Sequence, residues 1–298
     1  MFACRENAGL DNAHHLHCDD LMTPHEKFLN EVRGNIDSLG ADLGLREAST
    51  QWIIESAKHK YSYNFAWMGR PIIQYPQDIV AMQELIWRVQ PDLIIETGIA
   101  HGGSLIFNAS MLALLDYCAT AHDGKDAVSR HSSRRVVGID IEIRPHNRLA
   151  VQSHPLASLI TMIEGSSVDP AVISSVKAIA SEHQNILICL DSNHTADHVL
   201  AELTAYAPLV SPDSYCVVFD TVIENMSPGQ HGERPWGPGN NPMTAVDRFL
   251  ASLVGGSTRG SNGEPLRFEI DEAIDSKLLI SVAPRGYLRR VPTDEVAA

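Results

Sequence analysis

The stretch from Asp92 to Ser104, Asp-Leu-Ile-Ile-Glu-Thr-Gly-Ile-Ala-His-Gly-Gly-Ser, decides the fold. Its first half is a short apolar run with no polar alternation, the pattern of a strand covered on both faces in a parallel sheet. Gly98, Gly102 and Gly103 then mark a sharp turn, and Ser104 to Tyr117 has helical periodicity. A strand, a glycine turn and a helix in direct succession form the element with which doubly wound sheets approach their ligands. The glycines admit a close backbone approach, and the helix start offers unpaired N–H groups to an anion.

The same alternation extends outward. Upstream, Ile79, Met82, Leu85, Ile86 and Val89 recur at helical spacing. Downstream come the strand-like runs RVVGIDI, LASLITMI, NILICL and SYCVVF, with helical segments at Ala171 to His183 and Ala196 to Ala207 between them. A polar stretch ending near Arg134 reads as a surface insertion. After a last helix, Thr244 to Val254, the runs LRFEID and KLLISVA lie only a few residues apart, so they must pair antiparallel. The expectation is a doubly wound α/β fold, with a seven-stranded, mostly parallel sheet ending in an antiparallel hairpin. Residues 1 to 25 read as a mobile leader, 26 to 75 as a helical extension, and 76 to 290 as the ligand-binding domain. Cys4, His14, His15, His17 and Cys18 in the leader match no common zinc-finger spacing.

Composition narrows the partners. With 23 basic and 37 acidic residues the formal charge is −14, which argues against nucleic-acid phosphates or anionic membranes as partners. No apolar run is expected to reach the roughly 20 residues that cross a bilayer. The five cysteines are odd in number, and Cys189 and Cys216 fall in strand-like runs where a thiol acts as a small hydrophobe. These features lead to a cytoplasmic expectation.

At the turn, Glu96, Gly98, Ala100, Gly102, Gly103 and Ser104 are the first candidates for cofactor binding. Asp140 ends the second strand, where a carboxylate can accept both ribose hydroxyls of an adenosine. Ser166 and Ser167 follow the third strand and either flank an adenine or belong to a helix cap completed by Asp169 and Pro170. Both S-adenosylmethionine and NAD fit such a site. A dinucleotide fingerprint would place Gly at position 100, and an oxidoreductase sheet usually finishes on another parallel strand. Five β/α units plus an antiparallel hairpin is instead the layout of class I methyltransferases.

The segments FAWMGRPIIQYPQDIVAMQE, ETGIAHGGSL, VVGIDIEIRPHN, EGSSVD, LDSNHTADHVLAEL and APRGYLRR together resemble the cephalosporin hydroxylase family over about residues 60 to 290. That family is similar to the macrolide-sugar O-methyltransferases of antibiotic pathways. The resemblance implies a class I methyltransferase, S-adenosylmethionine as cofactor, a homo-oligomer built partly through the N-terminal region, and often a magnesium ion beside the cofactor. It also implies roles for Asp191 and His194 in LDSNH. The relatives' acidic pair after the fifth strand, a proposed metal-binding pair, aligns with Phe219-Asp220. A phenyl ring coordinates nothing, so Asp191 and Asp220 remain as the expected ligands.

Methyl transfer to a hydroxyl needs the acceptor oxygen in line and stripped of its proton. Histidine titrates near neutrality, which suits His194 as general base, while Asp191 and Asp220 suit a hard cation. The Gly- and Pro-rich stretch MSPGQHGERPWGPGNNP is too long for an idle connection and reads as a substrate lid, with His231, Arg234 and Trp236 as contacts to a sugar or small molecule. Two other classes stand beside this reading: an NAD-dependent oxidoreductase and a non-catalytic cofactor-binding partner.

Overall fold

A computed structural model describes residues 22–122, 132–226 and 232–292. The chain opens with α1 (Pro24–Ala41), held by a reciprocal capping box between Thr23 and Glu26, so helix begins inside what the sequence suggested was leader. Helix α2 (Leu43–Ala57) follows, capped by Asp42. A small antiparallel hairpin, β1 (Phe65–Trp67) and β2 (Arg70–Ile72), leads to α3 (Pro76–Val89). Pro76 starts that helix with its ring already at helical φ, and Ala81, Met82, Leu85 and Ile86 form its buried stripe. The leader residues Cys4, His14, His15, His17 and Cys18 lie outside the described residues.

Seven strands build the main sheet: β3 (Leu93–Thr97), β4 (Arg135–Asp140), β5 (Ile160–Glu164), β6 (Ile186–Leu190), β7 (Tyr215–Val218), β8 (Phe268–Ile270) and β9 (Tyr287–Arg290). Their order is β5-β4-β3-β6-β7-β9-β8, with β5 through β7 parallel and β9 antiparallel to both β7 and β8. The connecting helices are α4 (Gly103–His122), α5 (Pro145–Gln152), α6 (Pro170–Ala180), α7 (Ala196–Tyr206) and α8 (Pro242–Leu253). Two apolar clusters, one on each face of the sheet, account for the lack of alternation in the strands. All of β3 is buried, and truncating Ile94 or Ile95 to Ala would cost about 2–5 kcal/mol.

Two sequence expectations are corrected. The run KLLISVA is not a strand: Asp271 caps a short helix, α9 (Glu272–Leu278), by accepting from Ile274 N–H, and the last strand is Tyr287–Arg290. The chain between them is drawn off the sheet by the buried carboxylate of Asp78, near the start of α3. Asp78 accepts hydrogen bonds from the Ser281 hydroxyl (2.6 Å), the Val282 N–H (3.0 Å) and the Tyr287 hydroxyl (2.8 Å). The second correction concerns α4, which by length and composition alone is apolar enough to cross a membrane. Its buried face, which includes Asn108 and Ser110 as well as Leu105 and Leu112, packs in the core of the domain.

The chain winds from β3 to β4 and β5 in one direction, then returns to β6 and β7 on the other side of β3. The crevice between β3 and β6 is therefore the switch point, outside the carboxyl ends of the strands, where such sheets take ligands. Register brings the exits level: Thr97 pairs with Ile139 on one side and with Leu190 on the other.

Candidate active site at the strand exits

Beyond β3, Gly98 continues the ladder by donating to Ile139 O at 2.8 Å, and Asp191 N–H donates to Thr97 O at 2.9 Å beyond β6. These two exits form the floor of a cleft of about 840 Å³. The cleft is lined by Gly98, Ala100, Gly103 and Ser104 from the turn, by Asp191, His194 and Asp220 from the next exits, and by Arg234 and Trp236 from the long loop. Its far wall comes from the N-terminal extension, through Ile53, Lys60, Tyr63 and Tyr75. Sequence reasoning gave that extension no site residue; its clustered aromatics were the available signal. A second cavity of about 580 Å³ lies at the opposite ends of the strands, where Arg88 and Tyr215 both bond the Asp271 carboxylate.

Asp191, His194 and Asp220 each offer a ligand atom within 4.8 Å of the other two. His194 Nε2 lies 3.2 Å from Asp220 Oδ2, and the imidazole meets the Trp236 ring edge to face with centroids 5.5 Å apart. Asp220 reaches this position from a left-handed backbone, φ 57°, directly after β7. Burial raises the Asp191 carboxyl well above its ordinary range, and the charges of Asp220 and Glu96 raise it further. The two carboxylates could hold a hard divalent cation, with the imidazole at its edge. Phe219 turns into the core, 6% exposed, and adds no ligand. Thr221 and Glu224, which follow Asp220 in the chain, are both engaged elsewhere. The Thr221 hydroxyl donates to Pro284 O at 2.6 Å, and Glu224 Oε2 accepts from Gly239 N–H at 3.0 Å and from the Asn241 amide.

The other sequence candidates are distributed less simply. Glu96 is buried beneath the turn, where it accepts from the Ser104 hydroxyl and from Asn108 Nδ2; burial raises its carboxyl to about 7 against the lowering effect of both bonds. It therefore braces the start of α4 through Ser104. Asp140 accepts from Ile99 N–H (2.8 Å) and Ala100 N–H (3.2 Å), which fixes the turn against β4. Gly102 is buried under the turn, and a methyl built on it would meet Val151. Asp140, Ser166 and Ser167 do not line the cleft. Ser167 is buried with its hydroxyl 3.1 Å from His198 Nε2, and Asp169 caps α6 through Ala171 N–H at 2.8 Å. The capping alternative thus describes Asp169. His231 lies outside the described residues.

Sequence reasoning also missed His198 and Glu202, one turn apart on α7. Glu202 is fully buried and accepts from the Ser192 hydroxyl at 2.6 Å, so the segment after Asp191 is held from beneath. Their i, i+4 spacing was the legible signal.

The family model described as Rhamnosyl O-methyltransferase/CmcI matches residues 59–291. The chain belongs to this family. As a member of the Rhamnosyl O-methyltransferase/CmcI family it is an S-adenosylmethionine-dependent O-methyltransferase, and the oxidoreductase and non-catalytic alternatives fall away. The rhamnosyl O-methyltransferase of Mycobacterium tuberculosis is 27% identical over 239 residues, covering 78% of this chain and 83% of that protein. That of Mycobacterium leprae is 27% identical over 240 residues, covering 78% of this chain and 88% of that protein. A solved structure of CmcI described as its Mg-SAM form aligns with TM-score 0.48 at 16% identity, covering 77% of this chain and 78% of that one.

Proposed function

We propose that the acceptor is a sugar hydroxyl, free or carried on a small-molecule scaffold, and that His194 removes its proton. The observation that carries this reading is the 3.2 Å contact between His194 Nε2 and Asp220 Oδ2 at the mouth of the switch-point crevice. A carboxylate that accepts from one imidazole nitrogen fixes the tautomer and leaves the other nitrogen's lone pair free to take a proton. Here that nitrogen is Nδ1. Proton and methyl balance: the acceptor O–H proton passes to Nδ1 while the oxygen takes the methyl, and the imidazolium that forms is stabilised by Asp220.

S-adenosylmethionine supplies an electrophilic methyl on a sulfonium when bound. The glycine turn and Asp191 are the residues set to hold it at the crevice, with the adenosine on the Asp140 side of the turn. Trp236, with the Arg234 guanidinium 4.7 Å over its ring, offers the kind of apolar face on which a sugar ring packs. Asp191 and Asp220 would hold a magnesium ion, which there would polarise the acceptor oxygen. Oligomerisation through the N-terminal region is supported by α1, which buries none of its residues and leaves Phe28 59% exposed. The acidic chain and its reduced, buried Cys189 and Cys216 suit the cytoplasm.

The test is transfer of radiolabelled methyl from S-adenosylmethionine to p-nitrophenyl α-L-rhamnopyranoside and to a panel of other glycosides. Label on a sugar hydroxyl supports the reading. Label only on amines or non-sugar hydroxyls, with S-adenosylhomocysteine still raising the melting temperature, would reject the acceptor class.

A further inference from the structure

Helix α7 begins two residues after His194, and it begins without a side-chain cap of its own. Thr195 occupies the N-cap, but its hydroxyl donates to Asn193 Oδ1 at 2.8 Å and makes no bond to the helix's free N–H groups. An acceptor arrives instead from the loop before α8. Asn240 Oδ1 accepts from Ala196 N–H, the first of α7, at 3.0 Å. The other end of the same amide, Nδ2, donates to Pro235 O at 2.8 Å. The amide's orientation is unambiguous, because a backbone N–H can only donate and a carbonyl can only accept.

Trp236 follows Pro235 directly, and its ring meets His194. The contacts therefore close a circuit: His194 to Ala196 along the chain, Ala196 to Asn240, Asn240 to Pro235, Pro235 to Trp236, and Trp236 back to the imidazole. The loop side of this circuit is stiff. Gly237 and Asn240 exchange main-chain hydrogen bonds of 3.1 and 2.9 Å, and Glu224, in the segment following β7, anchors Gly239 and Asn241.

We propose that Asn240 is a positioning residue for His194: it caps α7 from outside the helix and, through the same amide, holds Trp236 against the imidazole so that Nε2 stays directed at Asp220. The inference rests on the reading of His194 as the base and names the device that aims it.

The two halves of the amide can be separated. Asn240→Asp keeps an oxygen for Ala196 N–H, in a place where a helix start favours negative charge, but sets a carboxylate against Pro235 O in place of the donor. In the full chain, carbethoxylation of His194 by diethyl pyrocarbonate, followed by peptide mass spectrometry, reports how well Trp236 covers the ring. Asn240→Asp is expected to raise the His194 rate by about threefold or more with the melting temperature unchanged. Trp236→Ala should raise it similarly, and the double variant no further, because both act through one contact. On a glycoside that is turned over, Asn240→Asp should lower kcat about tenfold without changing the KM for S-adenosylmethionine. A wild-type His194 rate in Asn240→Asp, or additive effects in the double variant, overturns the proposal and leaves Asn240 as a helix cap only. Full turnover in His194→Gln would instead end the base reading, and the carbethoxylation result would be unaffected by it.

Discussion

The carbonyl oxygen of Asp191 occupies the space that a side chain on Gly98 would need. Gly98 also has φ +90°, a backbone conformation that L side chains rarely adopt, so the exits of β3 and β6 are packed together through the one residue that permits it. Gly98→Ala must push the two exits apart. The expected result is a fall in S-adenosylhomocysteine affinity of about tenfold or more, with a lower melting temperature, since strain of this kind costs about 1–3 kcal/mol. Gly69, at the tip of the β1–β2 hairpin, has φ +85° with open space around it and serves as the control. Gly69→Ala should lose some stability and keep its affinity in calorimetry. Equal affinity losses in the two variants would show that the close approach to Asp191 is irrelevant.

His194→Gln keeps a polar side chain of similar reach but takes away the imidazole nitrogen that would accept the proton. Turnover of a sugar acceptor should drop by about 10²–10⁴-fold while S-adenosylhomocysteine binding holds. The check is a single-turnover methyl-transfer rate beside a binding isotherm. Asp220→Asn, which still reaches Nε2 but stabilises an imidazolium poorly, should fall between the two. An Asp220→Asn variant as active as wild type would remove Asp220 from the base's support.

The sheet was legible in the sequence because burial on both faces leaves an unmistakable mark: Leu93 to Ile95, Ile186 to Leu190 and Tyr215 to Val218 carry no polar alternation. Asp191, His194 and Asp220 were legible as exit residues for the same reason, once the strands were placed. What was not legible depended on contacts distant in sequence. KLLISVA has the composition of a strand, but Asp78, about 200 residues earlier in the chain, binds its backbone and hydroxyl groups and keeps it off the sheet. Ser167 could be read as flanking an adenine or as part of a helix cap, and nothing in its local sequence signals the contact its hydroxyl makes with His198 of α7. The extension at Ile53 to Tyr75 read as an appendage because its clustered aromatics do not by themselves say that they close a cleft formed by residues 98 to 236.

Asp191 and Asp220 should bind a divalent cation. Manganese, read by electron paramagnetic resonance, is a convenient probe for a magnesium site. One tight equivalent is expected in the wild-type chain, with affinity lost in Asp191→Asn and Asp220→Asn. Phe219→Glu is expected to lower the melting temperature, because the ring's place in the core, bordered by Asp78, Glu96 and Asp191, would then hold another carboxyl. Manganese binding that survives both Asp variants would locate the cation elsewhere.

Burial raises the Asp78 carboxyl to about 6, although its hydrogen bonds to Ser281, Val282 and Tyr287 each act to lower it. Because the folded chain holds this proton more tightly than the unfolded one, the associated stability is complete below the ordinary carboxylate range near 4 and is lost as pH rises through about 6. Asp78→Asn cannot titrate, so its deficit relative to wild type should be largest below about pH 4, shrink between about pH 4 and 6, and stay level above that. Urea unfolding of both proteins at half-unit pH steps measures the difference directly. A deficit that widens as pH rises would mean that the ionised carboxylate is the stabilised form, with the three donors outweighing the loss of water around the charge.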